Sequence, residues 1–210
     1  MILAYHAIFT AYGFWLPNDP RGSWSDFVRS WELLRFGEAT KVDTRRSVAG
    51  RPHDREKRLA AKAALQYPAV RFTGRQAMLI AAGFRQAIDE SGYVLHACSI
   101  LPEHVHMVVA RHTRTIEKIV GHSKGRASQQ LAAGGMHPLV AFRNEAGEYP
   151  SPWGRNCWRV FLDDPEGVRR AIAYVEQNPS REGKRPQRWP FVIPYEPAVS
   201  AAQTRGKPRR

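Results

Sequence analysis

Two histidines one residue apart are the residues of this sequence best placed to do chemistry. His104 and His106 stand in the apolar stretch "LPEHVHMVVA", residues 101–110. Side chains alternate between the two faces along a β-strand, so both imidazoles project from one face and the intervening apolar side chains point the other way. Two imidazoles on one face can chelate a divalent metal ion if a third ligand is available. The same pattern is also typical of two half-exposed polar residues.

A tyrosine and a carboxamide share one side of a predicted helix near the end of the chain. Tyr174 and Asn178 are one turn apart and lie on the same side of the apolar face, whereas Gln177 points toward solvent. A tyrosine at such a boundary often keeps its hydroxyl in water. The apolar face itself has helical spacing and consists of Val168, Ala171, Ile172 and Val175.

The elements that must position these residues follow the order β-α-β-β-α-β, with one more helix appended. The predicted strands are 2–10, 93–100, 104–110 and 157–162, and the predicted helices are about 73–91, 114–133 and the segment "DPEGVRRAIAYVEQN", which ends at Pro179. This order is that of the ferredoxin-like, split βαβ fold. We therefore predict an α+β protein whose antiparallel sheet carries helices on one face, with the appended helix bearing Tyr174. The first and third strands are then central, which places both histidines in the middle of the sheet.

Local signals support the two helices that precede the appended one. Thr73 and Gln76 have the spacing of a capping box, and Gly92 is typical of a helix end. The second helix is predicted to direct Ile116, Ile119, Val120, Ala127 and Leu131 inward and Lys118, Lys124 and Arg126 outward.

A single domain is predicted over residues 1–180. Within it, residues 19–67 are rich in arginine and in helix-breaking residues and are interpreted as an insertion, with a helix near 55–65. Residues 181–210 form a basic C-terminal extension, ending in "TRGKPRR", which we expect to be partly disordered.

Charge indicates a polyanionic partner. The 210 residues include 32 Lys+Arg against 19 Asp+Glu, giving a net charge of +13, which favours a nucleic acid. Cys98 and Cys157 are the two cysteines, and their spacing predicts neither a disulfide framework nor a zinc site. No signal-like leader and no apolar run of membrane-spanning length is found, so we expect a cytoplasmic protein without a membrane partner.

Several of these segments together resemble one family. "PEHVHMVV" resembles the His-hydrophobic-His motif of the HUH endonucleases, and "AIAYVEQNP" resembles the nucleophile helix of their single-tyrosine transposases. The nearest branch is that of the REP-associated tyrosine transposases, which "YHAIFTAYGFWLP" and "SKGRASQQL" also resemble. The resemblance covers about residues 1–16 and 71–180, and the insertion at 19–67 departs from the smallest members of the family.

The resemblance implies a metal-dependent reaction on single-stranded DNA. His104, His106 and Asn178 would bind Mg²⁺ or Mn²⁺, with Gln177 as the reserve third ligand. Tyr174 would attack the scissile phosphate and form a 5′-phosphotyrosine, and reversal onto another 3′ end would complete strand transfer. The partner implied is single-stranded or hairpin DNA, bound by a monomer or a homodimer.

Other residues are candidates for DNA contacts, and other functions remain open. Trp153 or Trp158 is a candidate for base stacking. One alternative is a catalytically silent nucleic-acid-binding protein, although the 104–110 strand lacks the aromatic motif of RRM domains. Another is a metal-dependent phosphodiesterase that uses water, in which Tyr174 is incidental. The candidates for contacts with the DNA backbone are Lys118, Lys124, Arg126, Arg155 and Arg159.

Overall fold

The computed structural model describes residues 1–16, 31–37 and 54–196, and its elements follow the predicted order. Short helices α1 and α2 precede the predicted helices, and α2 confirms the helix expected near 55–65. The strands are β1 Ala4–Thr10, β2 Leu95–Ile100, β3 His104–Ala110 and β4 Trp158–Leu162. The helices are α1 Trp31–Leu34, α2 Arg55–Ala63, α3 Gly74–Ser91, α4 Ile116–Ala133 and α5 Pro165–Arg181.

The four strands form one antiparallel sheet in the order β2-β3-β1-β4. The prediction of an α+β fold with β1 and β3 in the centre is therefore confirmed. Thr10 pairs with His104 and Ile8 pairs with His106, so both histidines lie between hydrogen-bonded neighbours on a central strand.

Helices α3 and α4 cover one side of the sheet, called here the helix-pair face. Phe9 of β1 and Met107 of β3 are fully buried there, and Phe84 of α3 packs against Phe9 with ring centroids 6.1 Å apart. The two helices approach closely at Gly83, where a Cβ would collide with the backbone of Ala127. Glycine at this position lets the helix backbones meet above a dry apolar core.

Helix α5 covers part of the opposite side, called here the histidine face. Strand side chains point alternately to the two faces of the sheet. The apolar side chains of α5 pack on the strand residues that point away from the helix-pair face. A second, smaller cluster results, made by Ala4, Ala97, Val108 and Leu162 of the sheet with Val168, Ala171 and Val175 of α5.

The predicted ends of the helices are mostly confirmed. Both hydrogen bonds of the Thr73–Gln76 capping box are present, and Gly92 ends α3 in the left-handed conformation at φ 66°. Pro179 was wrongly predicted to end α5, which continues to Arg181. Pro179 lacks the backbone N–H that would bond the carbonyl four residues earlier, so it costs the helix one hydrogen bond. Only two residues of α5 follow it, and these continue the helix. The buried amide of Asn178 therefore stays on a continuous helix.

Parts of the predicted organisation lie outside the described residues. The insertion at 19–67 is described over 31–37 and 54–67 only, and the C-terminal extension only as far as 196. Over the described part of that extension, the Gln187 side-chain amide bonds both the N–H and the carbonyl of Ile100, so this segment runs beside β2. Within the described ranges, no helix is long and apolar enough to cross a membrane.

Candidate functional site

Three histidines meet in the middle of the histidine face. His104 and His106 extend from β3 on the same side, with ring centroids 4.9 Å apart, as the strand alternation predicts. His6 of the neighbouring strand β1 joins them, and its Nε2 lies 3.0 Å from Nδ1 of His106. The sheet therefore holds a row of imidazoles on two adjacent central strands.

Burial keeps two of these imidazoles neutral at physiological pH. Burial lowers the pKa of His6 to about 4. Burial, followed by the neighbouring His104 and His6, lowers the pKa of His106 well below its ordinary value. A neutral imidazole has a lone pair available for a metal ion, whereas an imidazolium has none.

Tyr174 of α5 lies directly against this row. Its ring centroid is 5.8 Å from that of His6 and 5.6 Å from that of His106. The side chain is nevertheless 41% exposed, so the phenol is open to solvent on one side. The structure thus brings the predicted tyrosine and the histidine pair together on one surface.

The next two turns of α5 continue along the same row. Asn178 follows Tyr174 by four residues, and Glu182, at the C-terminal cap, follows Asn178 by four more. Oε1 of Glu182 is 3.5 Å from Nε2 of His104. Because residues four apart lie on the same side of a helix, Asn178 is located between the tyrosine at one end of the row and the carboxylate at the other.

The two candidates for the third ligand differ in their surroundings. Asn178 is buried, whereas Gln177 is exposed and its Oε1 accepts a hydrogen bond from Arg181 at 2.9 Å. Nδ2 of Asn178 is buried without a hydrogen-bond partner, and so is Oγ of Ser99, which pairs with His106 across the sheet. Native proteins rarely leave buried polar atoms unpaired, so the Nδ2 donor of Asn178 calls for an acceptor such as a water molecule or a phosphate oxygen at this site.

These residues fit a divalent metal ion in part. The imidazoles of His104 and His106 and the carboxamide of Asn178 are donors that Mg²⁺ and Mn²⁺ accept, and either ion needs further ligands from water or substrate. In the part of the chain that the structure describes, no group of three or more His, Cys, Asp or Glu side chains could hold a metal ion. A metal here would therefore depend on the carboxamide and on the DNA itself.

Most of the predicted DNA-contacting cations lie on the other side of the sheet. Lys118 is exposed on α4. Lys124 and Arg126 were predicted to point outward but are half-buried: Lys124 Nζ bonds the carbonyls of Gly154 and Asn156, and Arg126 pairs with Glu90. Arg159 pairs with Glu117 of α4, and Arg155 is exposed in the loop before β4.

The two tryptophans proposed for base stacking have different positions. Trp153 is a core residue, 4% exposed, whose ring packs on Phe72 and Phe9 and whose Nε1 donates to Ser128 Oγ at 3.1 Å. The stacking interpretation of Trp153 is therefore wrong, since its ring is already enclosed. Trp158 is half-buried and pairs with Ile8, two positions along β1 from His6, so it lies on the histidine face.

Three residues of the site were missed from the sequence. His6 and Ser99 stand in ordinary strands, and their place beside His106 depends on strand register. Glu182 was assigned to the C-terminal extension. One signal was available, because "AYHAIFT" puts His6 on a single face of a central strand, in phase with Ala4 and Ile8.

Comparison with known proteins gives similarity at the level of the chain trace. No protein-family model matches the sequence, and no curated protein matches it. The chain is similar to a REP-associated tyrosine transposase bound to a REP hairpin, with 12% identity, a TM-score of 0.46, and coverage of 90% of this chain and 74% of that one. It is also similar to a protein provisionally assigned as a transposase from Deinococcus radiodurans R1, with 13% identity, a TM-score of 0.37, and coverage of 85% and 91%. At 12–13% identity the similarity concerns the fold, and the chemistry of this protein depends on its own side chains.

Proposed function

We propose that this protein cuts and rejoins single-stranded DNA, with Tyr174 as the nucleophile. The observation that carries the proposal is the contact of the Tyr174 ring with His6 and His106, on a helix whose next turn brings in Asn178. A half-exposed phenol beside buried, neutral imidazoles can be approached by a phosphate from solvent.

The reaction is an in-line displacement at phosphorus. Oη of Tyr174 forms a bond to the phosphorus, the bond between phosphorus and the 3′ oxygen breaks, and the phenolic proton leaves as the 3′ oxygen gains one. The products are a 5′-phosphotyrosine and a free 3′-hydroxyl. Attack of another 3′-hydroxyl on the phosphotyrosine reverses the step and joins two strands, without any external source of energy.

His104, His106 and Asn178 are proposed to hold Mg²⁺ or Mn²⁺ beside this phosphate. When bound, the cation supplies Lewis-acid stabilisation of the charge on the phosphate oxygens. The protein's own part is to hold Tyr174 against the sheet, through the packing of Val175 and Ala171 on the smaller apolar cluster. This packing fixes the direction from which the phenol meets a bound strand.

Two arginines of α5 are proposed to hold the DNA backbone beside the tyrosine. Arg170 lies one turn before Tyr174 and is exposed, and the guanidinium carbon of Arg181 lies 5.3 Å from the centroid of the Tyr174 ring. Both project from the side of the helix that carries the phenol. Trp158, on the same face, is proposed to stack with a base of the unpaired strand. A hairpin beside the cleavage site follows from the family resemblance of the sequence.

The test is to trap the covalent intermediate. The full-length protein is incubated with Mn²⁺ and single-stranded DNA carrying the hairpins that flank its own gene, and the products are separated on a denaturing gel. We expect a DNA adduct that migrates with the protein, and loss of this adduct in Tyr174→Phe. Tyr5→Phe is the matched control, since Tyr5 lies on the helix-pair face against Phe161.

The alternatives give different results in the same assay. An adduct that persists in Tyr174→Phe would assign attack to another residue. Cut DNA without any adduct would identify water as the nucleophile and support the phosphodiesterase alternative. Binding without cleavage or adduct would support a catalytically silent DNA-binding protein.

A further inference from the structure

His6 has a contact that no chemical step in the proposed reaction uses. Its Nε2 lies 3.0 Å from Nδ1 of His106, both side chains are buried, and the ring centroids are 5.2 Å apart. The two residues are 100 positions apart in the chain, so the contact exists only because β1 and β3 pair in this register.

A hydrogen bond between two neutral imidazoles needs one N–H and one lone pair. If His6 donates, His106 accepts at Nδ1 and has its own proton on Nε2, which then cannot bind a metal. If His106 donates from Nδ1, its Nε2 has a free lone pair. The partner of one ring nitrogen therefore decides whether the other nitrogen is a ligand.

We propose that His6 is a positioning residue that accepts the Nδ1 proton of His106 and so leaves Nε2 of His106 as the metal-binding atom. This inference rests on the proposed function, because it assigns His106 a metal. The burial of His6 supports it, since an acceptor shielded from competing water holds one tautomer of its partner. The contact with Tyr174 places His6 beside the nucleophile, so the same side chain also limits where the phenol ring can lie.

The tautomer can be measured without metal or DNA. Long-range ¹H–¹⁵N correlation spectra of the full-length protein at neutral pH distinguish a protonated Nδ1 from a protonated Nε2, and His106→Ala assigns the signals among the eight histidines. We expect the Nδ1–H form for His106 in the wild type and in His6→Gln, whose side-chain oxygen can accept the same proton. His6→Leu fills similar space without an acceptor and should give mixed tautomers.

Metal binding is then measured on the same variants by Mn²⁺ titration with electron paramagnetic resonance. We expect His6→Leu to lower the affinity about 10- to 100-fold and His6→Gln to stay within about 3-fold of the wild type. The control is His96→Leu, which removes an imidazole of β2 bonded to the Ile193 carbonyl, away from the site. Thermal unfolding of each variant verifies that it is folded.

Each result has one meaning. The Nε2–H form in the wild type would overturn the inference whatever the protein's function. The expected tautomers with unchanged Mn²⁺ affinity in His6→Leu would overturn the positioning role while leaving the proposed function intact. A wild type with the Nδ1–H form that binds no Mn²⁺ would overturn the metal-dependent function and, with it, the ligand role of His106.

Discussion

The two faces of the sheet bury polar side chains to different extents. On the helix-pair side, the buried side chains of Gln76 and Ser123 both have partners, the carbonyls of Met136 and Ile119. The histidine face holds a larger buried polar set, of which Ser99 Oγ and Asn178 Nδ2 have no hydrogen-bond partner. That set consists of His6, Thr10, Ser99, His106 and Asn178.

This difference separates the part of the protein that stabilises the fold from the part that we propose to do chemistry. An apolar core needs only close packing, and the helix-pair face supplies it. Buried polar atoms without partners cost free energy, and a fold keeps them where a ligand completes their hydrogen bonds or coordination. Variants on the two faces should therefore change different measurements.

The largest effect is expected on the histidine face. Replacing both His104 and His106 with alanine should reduce Mn²⁺-dependent cleavage by about 1000-fold or more, because the proposed metal ion would lose two of its ligands and could no longer stabilise the phosphate. DNA affinity should stay within about 2-fold, since backbone contacts supply most of it. Quantitative cleavage assays and filter binding measure the two quantities. Met107→Leu is the control on the opposite side of the same strand, and equal loss of cleavage there would contradict the separation of the two faces.

The reverse result is expected for the core. Phe84 is fully buried on α3, and Phe84→Ala should lower the free energy of unfolding by about 3–5 kcal/mol because it leaves a cavity against Phe9. Denaturant unfolding measures this change. Cleavage per folded molecule should be unaffected, and a specific loss of activity at full folding would show that the core also positions the site.

Lys124 provides a test by pH on the helix-pair face. Burial lowers the pKa of Lys124 to about 8, from an ordinary value of 10.5. Between pH 8 and 10.5 Lys124 is protonated in the unfolded chain but mostly neutral in the native protein. Its contribution to the free energy of unfolding therefore increases as the pH rises through this range and decreases as the pH falls toward 8. Relative to Lys124→Met, the wild type should gain about 2 kcal/mol between pH 8 and 10. A difference in the free energy of unfolding between wild type and Lys124→Met that is the same at every pH would instead show that the Gly154 and Asn156 carbonyls keep the amine charged.

The smallest effect concerns the DNA backbone. Arg170→Gln, beside the tyrosine, should weaken hairpin binding several-fold and reduce the salt dependence by about one counterion. Lys118→Gln removes a cation from α4, across the sheet, and should have less than about a 2-fold effect. Salt titrations of binding compare the two. An equal loss in Lys118→Gln would support the sequence interpretation of that lysine and mean that DNA extends around to the helix pair.

Much of the fold follows from local patterns in the sequence. The apolar alternation of 104–110 sets the histidine strand, and the Thr73 capping box and Gly92 set both ends of α3, so these elements are confirmed almost residue for residue. The side of α5 that carries Tyr174 follows from helical periodicity alone. Short-range geometry determines each of these features, which is why one sequence suffices to predict them.

The missed features depend on contacts between distant segments. His6 reaches His106 through strand register, and Trp153 is buried because loop residues fold back onto Phe9 and Phe72. The positions of charged side chains are also difficult to predict. A helical wheel places Lys124 on the outer side of α4, but its long side chain lies across Phe9 and bonds two carbonyls. No local pattern contains this information.

The position of β1 between β3 and β4 has a consequence for the order of synthesis. Of the four strands of this sheet, β1 comes first in the chain, and its partners β3 and β4 follow by about 100 and 155 residues. It therefore cannot pair until they have been made, whereas the adjacent β2–β3 hairpin can form at once. Tyr174 is supplied later still, by α5. A growing chain on the ribosome thus has its histidines long before the proposed nucleophile, and a copy that ends before α5 would lack the side chain that we propose attacks DNA.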